Sequence, residues 1–304
     1  MQSILKLIRW KNLLLIALVQ VLIKYALFEP FGISLTLNGY GISILILATL
    51  CLAAAGNIIN DIYDTETDTV NKPNRVIVGV SISEKKAYRL FFIFNIIGVT
   101  LGFYLSHAVG KSPFFTLFVI ISALLYIYAS YLKQLPLIGN IVISCLVALS
   151  LIIVGIFDLL PAINTANKET QLTFFKIVVD YALFAFIINL VREMIKDMED
   201  IEGDYKAQIN TLPIAIGRSR TKNIIFIISI LPILAVVFYT TTYLYKQELV
   251  VGYFLLCILA PLIYTSIKIF IAETKKDYTH ISLILKLVML FGMLSMSLYP
   301  LILK

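Results

Sequence analysis

The chain has 304 residues, of which 60% are hydrophobic and 14% are charged, and its formal net charge is +7. Soluble globular domains are about half apolar and about a quarter charged, so this composition excludes an ordinary soluble domain and favours a polytopic membrane protein. The basic residues are spread over several loops, which argues against a nucleic-acid-binding protein.

Nine apolar stretches of spanning length follow one another along the chain, each near the roughly 20 residues that a helix needs to cross the hydrocarbon core. They leave no room for a separate soluble domain. The sequence therefore predicts an all-α integral membrane protein with a single domain over residues 1–304. The predicted helices cover residues 12–30, 42–60, 87–107, 114–132, 138–156, 174–194, 223–243, 249–271 and 281–303.

Lysines and arginines in the connecting loops predict the orientation of these helices. With a cytoplasmic N-terminus, the cytoplasmic segments carry most of the 25 lysines and arginines of the chain. Cytoplasmic loops of membrane proteins are enriched in these residues. We therefore expect a multi-pass protein of the plasma membrane with its N-terminus in the cytoplasm and its C-terminus outside.

Aspartates with one spacing, three and then four residues apart, occur twice in the chain. NIINDIYDTETD (57–68) ends the second predicted helix, and REMIKDMEDIEGD (192–204) ends the sixth. On a helix, positions i, i+3 and i+7 share one face, so each set predicts a row of carboxylates at a helix end. Both helices run in the same direction, so both rows emerge on the cytoplasmic face. The first aspartate set is Asp61, Asp64 and Asp68, and the second aspartate set is Asp197, Asp200 and Asp204.

Facing rows of carboxylates repel each other, so a cation is expected between them. Oxygen ligands without nearby histidine or cysteine suit Mg²⁺, with Mn²⁺ as the alternative. Magnesium commonly bridges a few carboxylates to substrate phosphates. All six aspartates are therefore candidate metal ligands, and the pattern predicts a diphosphate held by metal ions. Ordinary solvated helix ends would explain one such set, but they explain two identical sets on one membrane face poorly.

Basic and amide side chains near these sets are candidate ligands for the diphosphate, because arginine and lysine stabilise phosphate oxygens and a leaving group. Each basic residue alone would also fit a simple positive-inside anchor. Arg75 and Lys133 are the strongest candidates, since they lie in short polar loops beside the aspartates. The full set is Arg9, Asn12, Asn60, Lys72, Arg75, Lys133, Arg192 and Lys196.

At these residues the sequence resembles the UbiA family of intramembrane prenyltransferases. The family's NDxxDxxxD motif is matched by Asn60, Asp61, Asp64 and Asp68, and its DxxxD motif by Asp200 and Asp204, extended by Asp197. The NKPNR segment (71–75) and the YLK segment (131–133) also fit. The resemblance implies a nine-helix bundle around a central cavity, with Mg²⁺ and an isoprenyl diphosphate bound at the two motifs. It also implies electrophilic alkylation, with Asp61, Asp64, Asp68, Asp200 and Asp204 as catalytic residues.

Residues 192–217 are similar to the second-motif region of the digeranylgeranylglyceryl phosphate synthases within that family. This similarity implies a lipid-phosphate acceptor, geranylgeranylglyceryl phosphate, that receives a geranylgeranyl group in ether-lipid synthesis. An aromatic acceptor of quinone synthesis, 4-hydroxybenzoate or a naphthoate, is the alternative. A cation transporter is a more remote alternative. The acidic residues gather on one face of the membrane, and Asp158 and Asp180, near the opposite side, do not continue an ion path across it.

Overall fold

A computed structural model describes the backbone of residues 2–302 and their side chains, except those of Arg75 and Ile302. Within that part, the chain is all-α, and nine helices are long and apolar enough to cross a membrane. The predicted fold class and helix number are thus confirmed. The helices are α1 (Trp10–Phe31), α2 (Gly39–Tyr63), α3 (Glu84–Ala108), α4 (Ser112–Ser130), α5 (Ile138–Ala162), α6 (Lys168–Lys206), α7 (Arg218–Leu244), α8 (Glu248–Ile271) and α9 (Lys275–Leu301).

Helix α6 is much longer than the sequence predicted. It was expected over 174–194, whereas it continues to Lys206 and contains the whole second aspartate set. The aspartates therefore lie at the end of the helix, as expected, whereas the predicted end at residue 194 is too early. Hydropathy marks only the apolar part of a helix, and the charged last turns of α6 are stabilised by packing against the short helix Thr65–Asn71. The second aspartate set thus lies on a rigid element.

The first aspartate set is divided by a break in the helix. Helix α2 ends at Tyr63, and Asp64 separates it from the short helix Thr65–Asn71. A row of three carboxylates along one helix end was expected here, so this prediction is wrong for the first aspartate set. The hydroxyls of Thr65 and Thr67 donate to backbone carbonyls three residues earlier, at 2.9 Å each. Such back-bonding competes with regular helix and favours a bend. Asp68 consequently lies on a different helix from Asp61.

Helix α6 joins the two main apolar clusters of the protein. Its first half contributes Phe174 and Val178 to a cluster shared with α1, α2 and α5. Its second half contributes Val191 and Ile195 to a cluster shared with α7, α8 and α9. The helix that carries the second aspartate set is therefore packed from both sides.

The end of the bundle away from the aspartate sets contains a buried ion pair. Lys24 Nζ lies 2.9 Å from Asp158 Oδ2, and both side chains are almost fully buried. Asp158 Oδ1 accepts the backbone N–H of Leu37 at 2.8 Å, so the carboxylate also holds the connection between α1 and α2. Asp158 was expected on the side of the membrane opposite the aspartate sets. Its ion pair with Lys24 gives it a structural role.

Candidate active site

The two aspartate sets meet where the short helix Thr65–Asn71 packs against α6. Asn71 Nδ2 donates to the carbonyl of Asp200 at 2.8 Å, and its Oδ1 accepts the N–H of Gly203 at 2.9 Å. Lys72 Nζ lies 2.5 Å from Asp200 Oδ2. The expected juxtaposition of the two motifs is therefore present, and Asn71 and Lys72, which follow the first motif, make it.

Cations from two other parts of the chain pair with the first aspartate set. Arg9 Nη2 lies 2.7 Å from Asp61 Oδ1, and it precedes α1 in a left-handed backbone conformation. Lys133 forms an ion pair with Asp64, whose other oxygen accepts from Asn60 Nδ2 at 2.5 Å. Four of the predicted ligands, two acids and two bases, are thereby brought into direct contact.

Lys133 reaches this site because α5 begins very close to it. A Cβ at Gly139 would lie 2.7 Å from the Cα of Lys133, nearer than real Cβ atoms approach. Glycine at this position therefore allows the loop between α4 and α5 to lie against the start of α5. Lys133 is mostly buried, which fixes its ammonium group at the first motif.

Asp197 differs from the other members of its set in its surroundings. Its Oδ2 accepts from Asn140 Nδ2 of α5 at 2.9 Å. Asn140 is buried, and its carbonyl accepts from Ser144 Oγ. Asp197 is thus bonded to the α5 side of the site, whereas Asp200 is bonded to Lys72.

The two aspartate motifs carry more negative charge than the cations of the protein neutralise. The pKa of Asp68 is raised to about 6, mainly by burial and also by the charges of Asp64 and Asp61, against the opposing effect of Lys72 and Arg9. The structure records no ion pair for Asp68 or Asp204 among the described side chains.

These carboxylates suit a hard cation. Among the described residues, no three acidic, histidine or cysteine side chains are already grouped as a metal site. However, Asp200 Oδ1 is buried without a hydrogen-bond partner, which is costly unless a ligand satisfies it. An all-oxygen donor set around this atom fits Mg²⁺.

A cavity of about 250 Å³ adjoins the motifs and lies between α1, α2, α4, α5, α6 and α9. The end beside the motifs, here called the mouth, is lined mainly by polar side chains, and the remainder, here called the depth, is lined mainly by apolar ones. The mouth is formed mainly by Arg9, Asn12, Asn57, Asn60, Tyr128, Asn189, Arg192, Glu193, Lys196 and Lys286. The depth is formed mainly by Leu52, Phe118, Ile121, Leu125, Leu146, Val147 and Ile153. Such a cavity fits a molecule with an anionic head and a hydrocarbon chain.

Three predicted diphosphate ligands contact other cavity residues and not the motif carboxylates. Arg192 Nη1 and Lys196 Nζ both bind Glu193 Oε1, at 3.0 and 2.8 Å. Asn12 Oδ1 accepts from Lys286 Nζ at 2.7 Å. The side chain of a fourth, Arg75, lies outside the described residues.

Sequence reasoning missed Glu193, Asn140 and Lys286. The signal for Lys286 was available, because a lysine within an apolar span is a candidate functional residue. Asn140 carries no such signal, since asparagines at helix starts are common.

Comparison with known proteins shows which family the chain belongs to. The sequence model of the UbiA prenyltransferase family matches residues 18–290. The chain belongs to the UbiA prenyltransferase family. It is therefore an integral membrane prenyltransferase, an enzyme of the class that transfers alkyl groups other than methyl.

Two relatives in this family are named digeranylgeranylglyceryl phosphate synthase. The one from Methanosphaera stadtmanae is 33% identical over 258 residues, which cover 83% of this chain and 86% of its own. The one from Korarchaeum cryptofilum is 34% identical over 266 residues, which cover 84% of this chain and 85% of its own.

Solved structures share the fold. A structure described as that of digeranylgeranylglyceryl phosphate synthase superposes with a TM-score of 0.64 at 24% identity, over 97% of this chain and 98% of its own. A UbiA homologue from Archaeoglobus fulgidus, bound to DMAPP and Mg²⁺, superposes with a TM-score of 0.58 at 14% identity, over 97% and 99%. The UbiA fold is thus confirmed, with nine membrane-length helices in the part of the chain that the structure describes.

Proposed function

We propose that this enzyme transfers a geranylgeranyl group from geranylgeranyl diphosphate to geranylgeranylglyceryl phosphate, forming a membrane ether lipid. The observation that carries the proposal is the cavity, whose charged mouth adjoins two facing aspartate motifs and whose depth is apolar. Relatives named for this activity, at 33% and 34% identity over most of both chains, support the same acceptor.

The donor's diphosphate binds at the motifs together with Mg²⁺, or with Mn²⁺ as the alternative ion. Asp61, Asp64 and Asp68, together with the second aspartate set, would hold the metal. The A. fulgidus homologues solved with Mg²⁺ and the diphosphates DMAPP and GPP support this assignment. When bound, the metal supplies positive charge that stabilises the departing diphosphate.

Side chains of the protein add further positive charge at the diphosphate. Lys72 and Lys133 already contact motif aspartates, so their ammonium groups lie within reach of an anion bound there. Arg9 contacts Asp61 in the same way. We assign Arg9, Asn60, Lys72 and Lys133 to the diphosphate, together with Arg75. Ammonium and guanidinium donors stabilise the charge that develops on the leaving group.

The apolar depth of the cavity holds the prenyl chain and excludes water from the reacting carbon. As the bond between C1 of the donor and its diphosphate oxygen breaks, positive charge develops on the allylic group. The acceptor's hydroxyl oxygen then bonds to C1, and its proton passes to the released diphosphate or to water. The Tyr128 ring at the cavity mouth adds an aromatic face, which favours a nearby cation.

The cellular arrangement follows from the charge distribution of the loops. We propose that residues 1–304 form one transmembrane domain in the plasma membrane. The N-terminus and the active-site mouth face the cytoplasm, and the C-terminus faces outward. Lysines and arginines on the connections that carry the motifs support this orientation.

The test is a competition among acceptors. Membranes containing the protein are incubated with Mg²⁺, geranylgeranyl diphosphate, geranylgeranylglyceryl phosphate, 4-hydroxybenzoate and a dihydroxynaphthoate. Mass spectrometry is expected to detect digeranylgeranylglyceryl phosphate as the main product, and Asp64→Asn membranes are expected to form none. A prenylated aromatic acid as the main product would contradict the proposed acceptor.

A further inference from the structure

Lys286 is a charged residue within the apolar helix α9. Its Nζ donates to Asn12 Oδ1 at 2.7 Å, and the two side chains join α9 to the start of α1. Among the described side chains, the structure records no carboxylate in ion-pair contact with Lys286. A partly buried ammonium group is costly without an anion, and a lysine in a membrane span commonly marks a functional site.

Two further cations line the cavity with Lys286, and both form ion pairs with the same acid. Arg192 Nη1 and Lys196 Nζ both bind Glu193 Oε1, at 3.0 and 2.8 Å. Arg192 Nε is buried and has no hydrogen-bond partner. This part of the cavity therefore has three positive groups, one negative group and a free buried donor. An anionic ligand would balance the charge and satisfy the donor.

This basic group is separate in its contacts from the diphosphate site. Asp61, Asp64 and Asp200 are paired with Arg9, Lys133 and Lys72, respectively. None of the recorded ion pairs joins Arg192, Lys196 or Lys286 to a member of either aspartate set within the described side chains. The cavity mouth thus offers one cation group with metal-binding acids and a second one without them.

We infer that Lys286, Arg192 and Lys196 bind the phosphate monoester of the acceptor lipid, an inference that rests on the proposed function. Lys286 and the free Nε of Arg192 donate to the phosphate oxygens, as charged donors do to anions. Glu193 is a positioning residue that holds Arg192 and Lys196 in place. Asn12 orients Lys286. With two separate anion sites, the head groups of donor and acceptor bind apart from each other.

The experiment compares two acceptors that differ only in the phosphate, geranylgeranylglyceryl phosphate and geranylgeranylglycerol. Purified wild type and Lys286→Met are assayed with Mg²⁺ and geranylgeranyl diphosphate. For the phosphorylated acceptor, Lys286→Met is expected to raise KM about tenfold or more, since a charged donor is lost. In the same variant, KM for geranylgeranylglycerol and KM for the donor are expected to change little. Lys286→Arg is expected to recover part of the loss.

Lys276→Met is the matched control, because Lys276 is exposed on the first turn of the same helix. It is expected to behave as the wild type with both acceptors. Thermal stabilisation of Lys286→Met by geranylgeranyl diphosphate with Mg²⁺ is expected to match that of the wild type, since the variant folds and binds donor normally.

Different results overturn different parts of the account. The second anion site alone would be overturned by any of three results in Lys286→Met. These are an equal increase in KM for both lipid acceptors, an unchanged KM for the phosphorylated acceptor, or the loss of thermal stabilisation by the donor. Failure of the wild type to use either lipid, combined with prenylation of an aromatic acid, would overturn the proposed function.

Discussion

Asn71 and Gly203 are joined by a hydrogen bond that connects the two aspartate motifs. The side-chain oxygen of Asn71 accepts the N–H of Gly203 at 2.9 Å, and its amide nitrogen donates to the carbonyl of Asp200 at 2.8 Å. A Cβ at position 203 would lie 2.3 Å from Asn71 Nδ2. The close approach of the motifs therefore depends on a residue without a side chain.

Gly203→Ala is expected to separate the motifs slightly and to weaken metal–diphosphate binding. The added methyl displaces Asn71, which loses hydrogen bonds worth about 1 kcal/mol each. We expect the Mg²⁺ concentration for half-maximal activity to rise several-fold, measured by titration of prenyl transfer. Gly252→Ala is the control, because a Cβ there meets nothing within 4 Å. An unchanged Mg²⁺ requirement in Gly203→Ala would show that the Asn71 contact does not set the geometry.

Lys133→Met removes the ammonium group at Asp64 and is expected to slow transfer. If Lys133 stabilises the leaving diphosphate, kcat falls by about 10²-fold, the usual effect of losing one such donor. Lys133→Arg should recover part of the rate. Lys85→Met, at an exposed position, serves as the control and should keep the wild-type kcat. Steady-state assays with saturating Mg²⁺ measure the effect, and a wild-type kcat in Lys133→Met would exclude this role.

Asp158→Asn is expected to destabilise the protein while its chemistry stays the same. Removal of one partner leaves Lys24 as a buried, unpaired charge, which costs about 3–5 kcal/mol. Thermal unfolding in detergent should therefore occur at a lower temperature, whereas KM for both substrates should be unchanged in the folded fraction. The double variant Lys24→Met with Asp158→Asn, which keeps an acceptor for the Leu37 N–H, should regain much of the stability. A double variant less stable than the single one would contradict the ion-pair explanation.

Phe118→Ala is expected to let the enzyme use a longer prenyl donor. Phe118 is buried deep in the cavity, where its ring packs edge-on against Phe157 with centroids 5.6 Å apart. It lies about 15 Å from Tyr128 along α4 at about 1.5 Å per residue. Removing the ring should raise kcat/KM for a C25 diphosphate relative to a C20 one. Phe92→Ala, at an exposed position, is the control. An unchanged ratio in Phe118→Ala would mean that other residues close the cavity.

Much of the fold could be predicted because its signals are local. Apolar stretches marked all nine helices, and the repeated spacing of Asp61 and Asp197 with their neighbours marked the motifs. Helix ends were less predictable, because charged turns such as the last part of α6 are stabilised by tertiary packing that hydropathy does not register. The break at Asp64 likewise depends on threonine hydroxyls that bond to the backbone.

The partners of the site residues could not be predicted from the sequence. The positive-inside pattern placed Arg9, Lys72 and Lys133 near the aspartates but could not say which cation meets which acid. It grouped Arg192 and Lys196 with the diphosphate ligands, and it could not show that both pair with Glu193. Such pairings join residues far apart in the chain, so they depend on how the helices pack.

The central claim is that the paired motifs bind a prenyl diphosphate through a divalent metal. Its most direct test is diphosphate release from geranylgeranyl diphosphate in the presence of geranylgeranylglyceryl phosphate, with and without Mg²⁺. We expect release by the wild type to require Mg²⁺, and Asp64→Asn to abolish it. Glu66→Gln, an exposed acid outside both motif patterns, should retain it. Release that persists in Asp64→Asn, or that continues in the wild type after chelation of Mg²⁺, would contradict the claim.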